Sequence, residues 1–508
     1  MHISRFKPAT LACVKGLTLA LSTLLLTSCG DGGSTEPEQP VVRTSDLPNI
    51  IFVLTDDHGY ADLGAQGVAS DIKTPNLDQL AKTGVRMTSG YVTAPQCTPS
   101  RAALMTGRYQ QKFGVEDNNY TPLPLSQITL AERLSAAGYK TGHMGKWHLN
   151  INAGSKRWYD EVYAPGSPIP FDENNIPAQE KVKYFSESRG FQDSFFGTID
   201  SYRANFNLKG NSIPTQTISD KRFRVDVVSD AAVTFIDRHK ADPFFLYVAY
   251  YAPHTPLEAT QAYLDLFPGP MPERRRYALA MLAAVDAGVG RMVKKLEDYG
   301  IDDDTLIVFL GDNGAALDLT KPDVLPVSAL NSSNGRPVWN GSLNDPWVGE
   351  KGMLSEGGIR VPFLMRWKNH LPEGLVYNEP VISIDASTTA AALAGLSTAD
   401  LDGINLVPYL KDRTLKPDRA LYWRFMQQSA VRQGKWKYLR TADEGEYLFD
   451  LSTDTHEKIN LLTQHPAIAN VMHTQLSNWS TTLKTPGLPS GALLGADKYW
   501  YDFYFPRN

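Results

Sequence analysis

The sequence predicts an α/β fold: a large, mostly parallel sheet flanked by helices, followed by a smaller C-terminal antiparallel sheet with a helix. Two observations predict it. Apolar, β-branched runs each stop abruptly at polar residues, and helical periodicities alternate with them. Asn49–Leu54 runs into Thr55-Asp56-Asp57-His58-Gly59. A weaker strand, Lys140–His143, runs into Gly145-Lys146-Trp147-His148. Phe244–Ala249 runs into Tyr251-Ala252-Pro253-His254-Thr255-Pro256, and Thr305–Leu310 into Gly311-Asp312-Asn313-Gly314. Runs of this kind are what strands buried on both faces look like. Helical patterns cover 77–83, 130–137, 225–239 and 276–299. In open sheets of this class ligands bind beyond the carboxyl ends of the strands. The four polar clusters are therefore expected to converge on one cleft.

From about Asp412 the pattern changes. Ala430–Arg432, Trp436–Leu439 and Tyr447–Asp450 read as short strands joined by turns, and 468–482 reads as a helix. The organisation expected is a catalytic domain over 49–411 and a C-terminal subdomain over 412–508. The stretches 150–189 and 315–346 are rich in Pro, Gly and Asn and are expected as loops over the cleft rather than core elements.

The chain of 508 residues, 42% hydrophobic and 10% aromatic, is ample for a large core. Residues 1–28 read as an export signal: Arg5, Lys7 and Lys15 accompany an apolar run, Gly16–Leu26, too short to span a bilayer. The run ends in Leu26-Thr27-Ser28-Cys29, which resembles a bacterial lipobox. That resemblance implies cleavage before Cys29, attachment to a membrane through a lipid on Cys29, and a periplasmic or outer-membrane location. Gly30, rather than Asp, at the next position favours the outer membrane by the same resemblance. Residues 29–48, with Gly, Ser, Pro and Glu prominent, read as a flexible tether. Loss of the leader takes the formal net charge from −5 to −8, and no basic block remains that would bind nucleic acid. An anionic substrate therefore requires cations gathered locally. Of Cys13, Cys29 and Cys97, only Cys97 remains in the folded body, so no intramolecular disulfide is possible there.

Cys97 stands two residues before Pro99, which suits the first turn of a helix. At a helix N-terminus, free N–H groups and the dipole favour an anion, either a bound ligand or the thiolate of Cys97 itself acting as nucleophile. Asp56, Asp57, Asp312 and Asn313 offer only oxygen ligands, the set that suits Ca²⁺ or Mg²⁺ and disfavours zinc. Either acidic pair alone is as readily a cap or turn, but two pairs at strand ends favour a metal. Lone Lys, Arg and His residues are usually solvated or structural; Arg101, Lys146, His148, His254 and Lys351 stand out only as motif positions of the family resemblance below, of which His58 and His143 are no part and so read as structural.

The segment Cys97-Thr98-Pro99-Ser100-Arg101 through Arg108 resembles the signature of the type I, formylglycine-dependent sulfatases, members of the alkaline phosphatase-like superfamily. Asp56-Asp57, Gly145 to His148, Pro253-His254, Gly311 to Gly314, and Lys351-Gly352 through Pro362 recur in that family's order, so the resemblance spans about residues 49–461. It implies hydrolysis of sulfate esters and oxidation of Cys97 to formylglycine by a maturation enzyme. It also implies Ca²⁺ held by Asp56, Asp57, Asp312, Asn313 and residue 97. Lys146 and Lys351 are then expected on the sulfuryl oxygens and Arg101 on the aldehyde hydrate. His254 is expected to protonate the departing alcohol, with Lys351 the other candidate, and His148 to accept a proton from the hydrate. Export, a tether and aromatic loops (Trp158, Tyr159, Tyr163, Trp339, Trp347, with Lys156, Arg157 and Arg336) point to sulfated polysaccharides or oligosaccharides, such as those of algae. The alternatives are a small aryl sulfate, a phosphatase or phosphonate hydrolase of the same superfamily, or a non-catalytic sugar-binding lipoprotein.

Overall fold

The computed structural model describes residues 43–317 and 339–505. The leader, Cys29, the tether up to residue 42 and Arg336 lie outside the described residues. The strands are β1 (Asn49–Asp56), β2 (Val85–Met87), β3 (Gly90–Tyr91), β4 (Lys140–Gly145), β5 (Asp193–Thr198), β6 (Ser201–Phe206), β7 (Ser212–Ser219), β8 (Phe244–Pro253), β9 (Thr305–Gly311), β10 (Phe363–Trp367), β11 (Leu375–Tyr377) and β12 (Val381–Ile382). Four more follow: β13 (Ala420–Phe425), β14 (Gln428–Gln433), β15 (Trp436–Thr441) and β16 (Gly445–Asp450). The main sheet has the order β11-β2-β10-β9-β1-β8-β4-β5-β6-β7. Its centre, β9-β1-β8-β4-β5, is parallel, whereas β10, β6 and β7 join antiparallel.

The parity of β1 shows why this sheet is buried on both faces. Successive side chains of a strand point to opposite sides. Ile50, Phe52 and Leu54 enter a core with Ala102, Leu104 and Met105 of the helix Cys97–Thr106, Leu130 and Leu134 of Leu130–Ala136, and Ala386 and Ala390 of Ser383–Leu393. Ile51 and Val53 enter the opposite core with Leu77, with Val228 and Phe235 of the helix Arg224–His239, and with Met281 and Val285 of the helix Glu273–Asp298. Local signals fix the helix ends. Pro75 begins Pro75–Lys82, Thr129 and Glu132 form a capping box ahead of Leu130–Ala136, and Gly107, at φ +68°, ends Cys97–Thr106.

The C-terminal sheet is four-stranded and antiparallel, in the order β13-β14-β15-β16. One face buries Val431, Tyr438 and Leu448 against Ala469, Met472 and Leu476 of the helix Pro466–Ser480. The other joins Trp423, Phe425 and Leu439 to Tyr91 and Ile359 of the body and to Trp500 and Tyr501 of a last helix, Gly495–Tyr504.

Several elements depart from the sequence expectation. β13 adds a strand to those expected: Leu421, Trp423 and Phe425 alternate with Tyr422 and Arg424 and enter the core shared with the body. The exposed β7 lies at the sheet edge, where its Pro214 is tolerated. The aromatic helix Gly495–Tyr504, not among the expected elements, is amphipathic and buries Asp497, Trp500 and Tyr501. The stretch 150–189, expected as cleft loops, contains a small core of its own: Ile151, Trp158, Tyr159, Ile176 and Tyr184. Residues 43–48, assigned by composition to the tether, are tied to the body by Thr44 N–H to the Ala241 carbonyl (2.9 Å) and by Arg43 to Asp304 (3.1 Å). No helix among the described residues is long and apolar enough to cross a membrane.

His143 on β4 is fully buried against Trp147, Phe191, Phe196 and Tyr247, with neither ring nitrogen hydrogen-bonded. Burial pushes its pKa down to about 3. The unfolded chain then binds a proton that the folded chain refuses between about pH 6.5 and 3, so this residue costs stability as pH falls through that window. His143→Phe is expected to flatten acid denaturation there, removing a slope approaching about 1.4 kcal/mol per pH unit. Urea titrations at pH 4, 5 and 7 measure it, and an unchanged slope would refute the assignment.

Candidate active site

The four polar clusters end adjacent strands at the sheet centre. Asp56 closes β1 with Asp57 after it, Asp312 and Asn313 follow β9, His254 follows β8, and Lys146 and His148 follow β4. Gly145 permits the last of these turns: it sits at φ +101°, and a Cβ there would lie 2.0 Å from the Ala249 carbonyl oxygen. Cys97 opens the helix Cys97–Thr106 beside them. The helix start is already partly occupied, because Thr98 N–H donates to Asn118 Oδ1 (3.0 Å). Nothing in the sequence around Asn118 marks it, since the contact is made only by folding.

Asp56, Asp57, Cys97 and Asp312 are buried and present ligand atoms all within 4.8 Å of one another. Cys97 Sγ lies 3.2 Å from Asp56 Oδ1 and 3.7 Å from Asp57 Oδ1. Asn313 donates through Nδ2 to Asp57 Oδ1 (2.7 Å) and to the Gly314 carbonyl (2.8 Å), leaving its Oδ1 buried without a hydrogen-bond partner. An orphaned buried carbonyl oxygen beside clustered carboxylates fits a hard cation, since oxygen donors in this number suit Ca²⁺. Asp57 has a left-handed backbone, φ +57°, held by its own N–H to Asp312 Oδ1 (3.0 Å) and by Asn340 Nδ2 to its carbonyl (2.8 Å). Asn340 is a second residue that only the fold reveals.

The carboxylates are balanced by specific cations. Arg101, fully buried, donates Nε and Nη2 to Asp312 Oδ2 (2.9 and 2.7 Å) and Nη1 to the Lys146 carbonyl (3.2 Å). Its hydrogen bonds go to Asp312 and the Lys146 backbone, so it orients a carboxylate of the acidic cluster beside residue 97. Lys146 Nζ pairs with Asp56. Lys351 Nζ lies 2.7 Å from Asp57 Oδ1 and 3.5 Å from Cys97 Sγ. Burial raises the Asp56 carboxyl, but Lys146, His254, Arg101 and Lys351 together hold it well below the usual range. Asp57 is lowered too, against burial, chiefly by Lys351 and His254. Asp312 is pushed up to about 6 by burial and by Asp56, despite Arg101.

His254 Nδ1 donates to the Thr255 carbonyl (2.6 Å), which leaves Nε2 facing the site 3.7 Å from Asp57 Oδ2. The chain bends here, with His254 N–H closing a turn on the Tyr251 carbonyl (2.9 Å). His148 sits at φ +58° with its Nδ1 buried and unpartnered. Burial lowers the pKa of both imidazoles, and Lys146 and Arg101 lower that of His148 further. His58 bonds Thr55 Oγ1 (2.9 Å) and the Asp62 carbonyl (2.7 Å), away from this set.

The expected sugar platforms are differently disposed. Trp158 and Tyr159 are buried, and Tyr163 stacks on Trp158 at 5.0 Å. Trp347 is covered by Arg360 at 3.7 Å, and Trp339 Nε1 donates to the Ser342 carbonyl (2.8 Å). Lys156 and Arg157 pair with Asp160 and Glu161. Packing among these rings buries more apolar surface than leaving them open would.

The sulfatase family model matches residues 48–396. The chain belongs to the sulfatase family. A model for the N-sulphoglucosamine sulphohydrolase C-terminal region matches residues 347–482. Bovine (Bos taurus) arylsulfatase A is 32% identical, over 83% of this chain and 85% of its own length. N-acetylgalactosamine-6-sulfatase of Sus scrofa is 34% identical, over 82% and 74%. The crystal structure of Ps i-CgsB in complex with k-i-k-neocarrahexaose is 30% identical with TM-score 0.70, covering 91% of this chain and 98% of that one. This sulfatase is a sulfuric ester hydrolase of the alkaline phosphatase-like superfamily, with a metal-competent acidic cluster around Cys97.

Asp312→Asn keeps an oxygen donor but removes a formal charge and the partner of Arg101. It is expected to weaken Ca²⁺ binding by at least about tenfold, or 1.4 kcal/mol. Calorimetric titration of chelator-treated protein measures this directly, and unchanged affinity would exclude Asp312 as a ligand.

Proposed function

We propose that this sulfatase desulfates sulfated polysaccharides or oligosaccharides, with Ca²⁺ held by Asp56, Asp57, Asp312, Asn313 and residue 97, and with Cys97 converted to formylglycine. The observation that carries the substrate class is the likeness to Ps i-CgsB over nearly its whole length, a protein crystallised with k-i-k-neocarrahexaose. The aryl sulfate reading draws on the similarity to arylsulfatase A. When present, Ca²⁺ neutralises sulfate oxygens and the hydrated aldehyde supplies the attacking hydroxyl.

The chain's own residues do the rest. Lys351 and Lys146 bring positive charge to where the sulfuryl oxygens gather, in a buried site where such charges act strongly. Lys351 sits between Asp57 and position 97, with its side chain 10% exposed. His254 is 32% exposed and presents Nε2 to the open side. That arrangement favours His254 over Lys351 as the group that protonates the departing alcohol. Burial lowers the proton affinity of its imidazole while Asp56 and Asp57 raise it, and an anionic ester arriving beside it would raise it further. His148, half-buried with an unpartnered Nδ1 and a pKa held well below the usual imidazole range, is suited to accept a proton from residue 97. Cys97 is 1% exposed, so a maturation enzyme must reach it before the fold closes. We also propose, from the lipobox-like sequence, that the protein is exported and anchored in a membrane through a lipid on Cys29.

A panel of defined sulfated oligosaccharides, with product mapping by NMR, tests the substrate class. Turnover of aryl sulfates alone would favour the small-molecule reading. Peptide mass spectrometry of active protein from the native host is expected to find an aldehyde at residue 97, and activity with only unmodified Cys97 would overturn that assignment. His254→Ala is expected to cost sugar-sulfate hydrolysis about 10²–10⁴-fold but nitrophenyl sulfate far less, because an acidic leaving group needs little protonation. Equal losses on both substrates would make His254 a sulfate-binding group instead.

A further inference from the structure

Lys351 lies in a loop, and its position depends on a distant part of the chain. The next residue, Gly352, has φ +97°, and a Cβ there would stand 2.1 Å from the Trp500 ring of the last helix, Gly495–Tyr504. Gly352 N–H donates to the Pro95 carbonyl (2.9 Å), close to Cys97. The loop is then gripped from β14 by one side chain. Gln428 Nε2 donates to the Gly352 carbonyl (2.8 Å), and Gln428 Oε1 accepts Leu354 N–H (2.7 Å). The amide thus pairs with the backbone on both sides of Met353, as a neighbouring strand would.

The remaining capacity of that amide is also filled. Nε2 donates its second hydrogen to Asp497 Oδ1 (2.8 Å), and Oε1 accepts from the Tyr501 hydroxyl (2.7 Å). Two donors and two acceptor lone pairs are all a Gln side chain offers, so the amide is saturated and its orientation has no competitor. Gln428, Asp497 and Tyr501 are each at most 1% exposed. Breaking one bond in such a network leaves a buried polar group unpaired.

We propose that Gln428, fixed by Asp497 and Tyr501, is a positioning residue that sets the place of Lys351 beside residue 97 and the sulfate. The inference rests on the assignment of Lys351 as a sulfate-side cation. The last helix and the C-terminal sheet then contribute to the active site without touching it.

The test is a double-mutant cycle on the mature enzyme, with nitrophenyl sulfate as substrate. Gln428→Glu keeps the shape but removes the amide donor, and Tyr501→Phe removes one hydroxyl while leaving the ring in place. In the wild-type background Gln428→Glu is expected to lower kcat/KM by about tenfold or more and Tyr501→Phe by several-fold, because small displacements of a charge-stabilising group are costly. In the Lys351→Ala background the same changes are expected to alter kcat/KM by less than about twofold. The fall in Tm is expected to be equal in both backgrounds. Equal fold-losses in the two backgrounds, or a lowered Tm with wild-type kcat/KM, would overturn the positioning role. Full activity of Lys351→Ala alone would instead overturn the assignment of Lys351 on which it stands. If Gln428→Glu does not fold, the cycle with Tyr501→Phe decides by the same criteria.

Discussion

The constraint on which the structure depends is the crowding of three buried carboxylates, Asp56, Asp57 and Asp312, around residue 97. Like charges this close cannot coexist in a low-dielectric interior without compensation. The compensation is local and directional. Arg101 forks onto Asp312, Lys146 pairs with Asp56, and Lys351 pairs with Asp57. Even so, Asp312 is held near 6, above the ordinary carboxyl range. A site tuned in this way is ready for a further cation, and the unpartnered Asn313 Oδ1 supplies an additional oxygen for it.

Each charge arrives from a different stretch of chain, so the backbone must deliver it with little freedom. The parallel register of β9, β1, β8 and β4 brings the four strand ends level. Left-handed residues then turn the chain sharply at Asp57, Gly145 and His148, within a residue or two of the functional side chains. Such conformations persist only where surrounding bonds over-determine them. At Asp57 those bonds come from Asp312 and Asn340, so the metal-competent cluster holds its own backbone in place.

The same division appears in the electrostatics of the histidines. His58 and His143 are fully buried, the first closed by two hydrogen bonds and the second walled in by rings, whereas His148 is half-buried. His148 and His254 differ in keeping a ring nitrogen directed to, or left free at, the carboxylate cluster. Motif position separated these pairs in the sequence, and the geometry supplies the physical distinction.

Much of the fold was legible because its signal is local. The runs at 50–54, 244–249 and 306–310 read as strands because each is short, rich in β-branched or aromatic residues and bounded by turn residues, as a strand buried on both faces is, and each polar cluster is named by its place at the end of one. The two acidic pairs could be read as candidates from those strand ends, whereas Cys97, Arg101 and the Lys and His positions were marked by the resemblance to the sulfatases. What only the tertiary structure decided is contact between distant residues. Arg101 forks onto Asp312, 211 residues away, Trp158 and Tyr159 fold into a small core rather than line a cleft, and Asn118, Asn340 and Gln428 have no local pattern to mark them. Their roles come from hydrogen bonds across 20 to 283 residues of sequence, and such bonds exist only once the sheet has brought both partners together and excluded the water that would otherwise satisfy them.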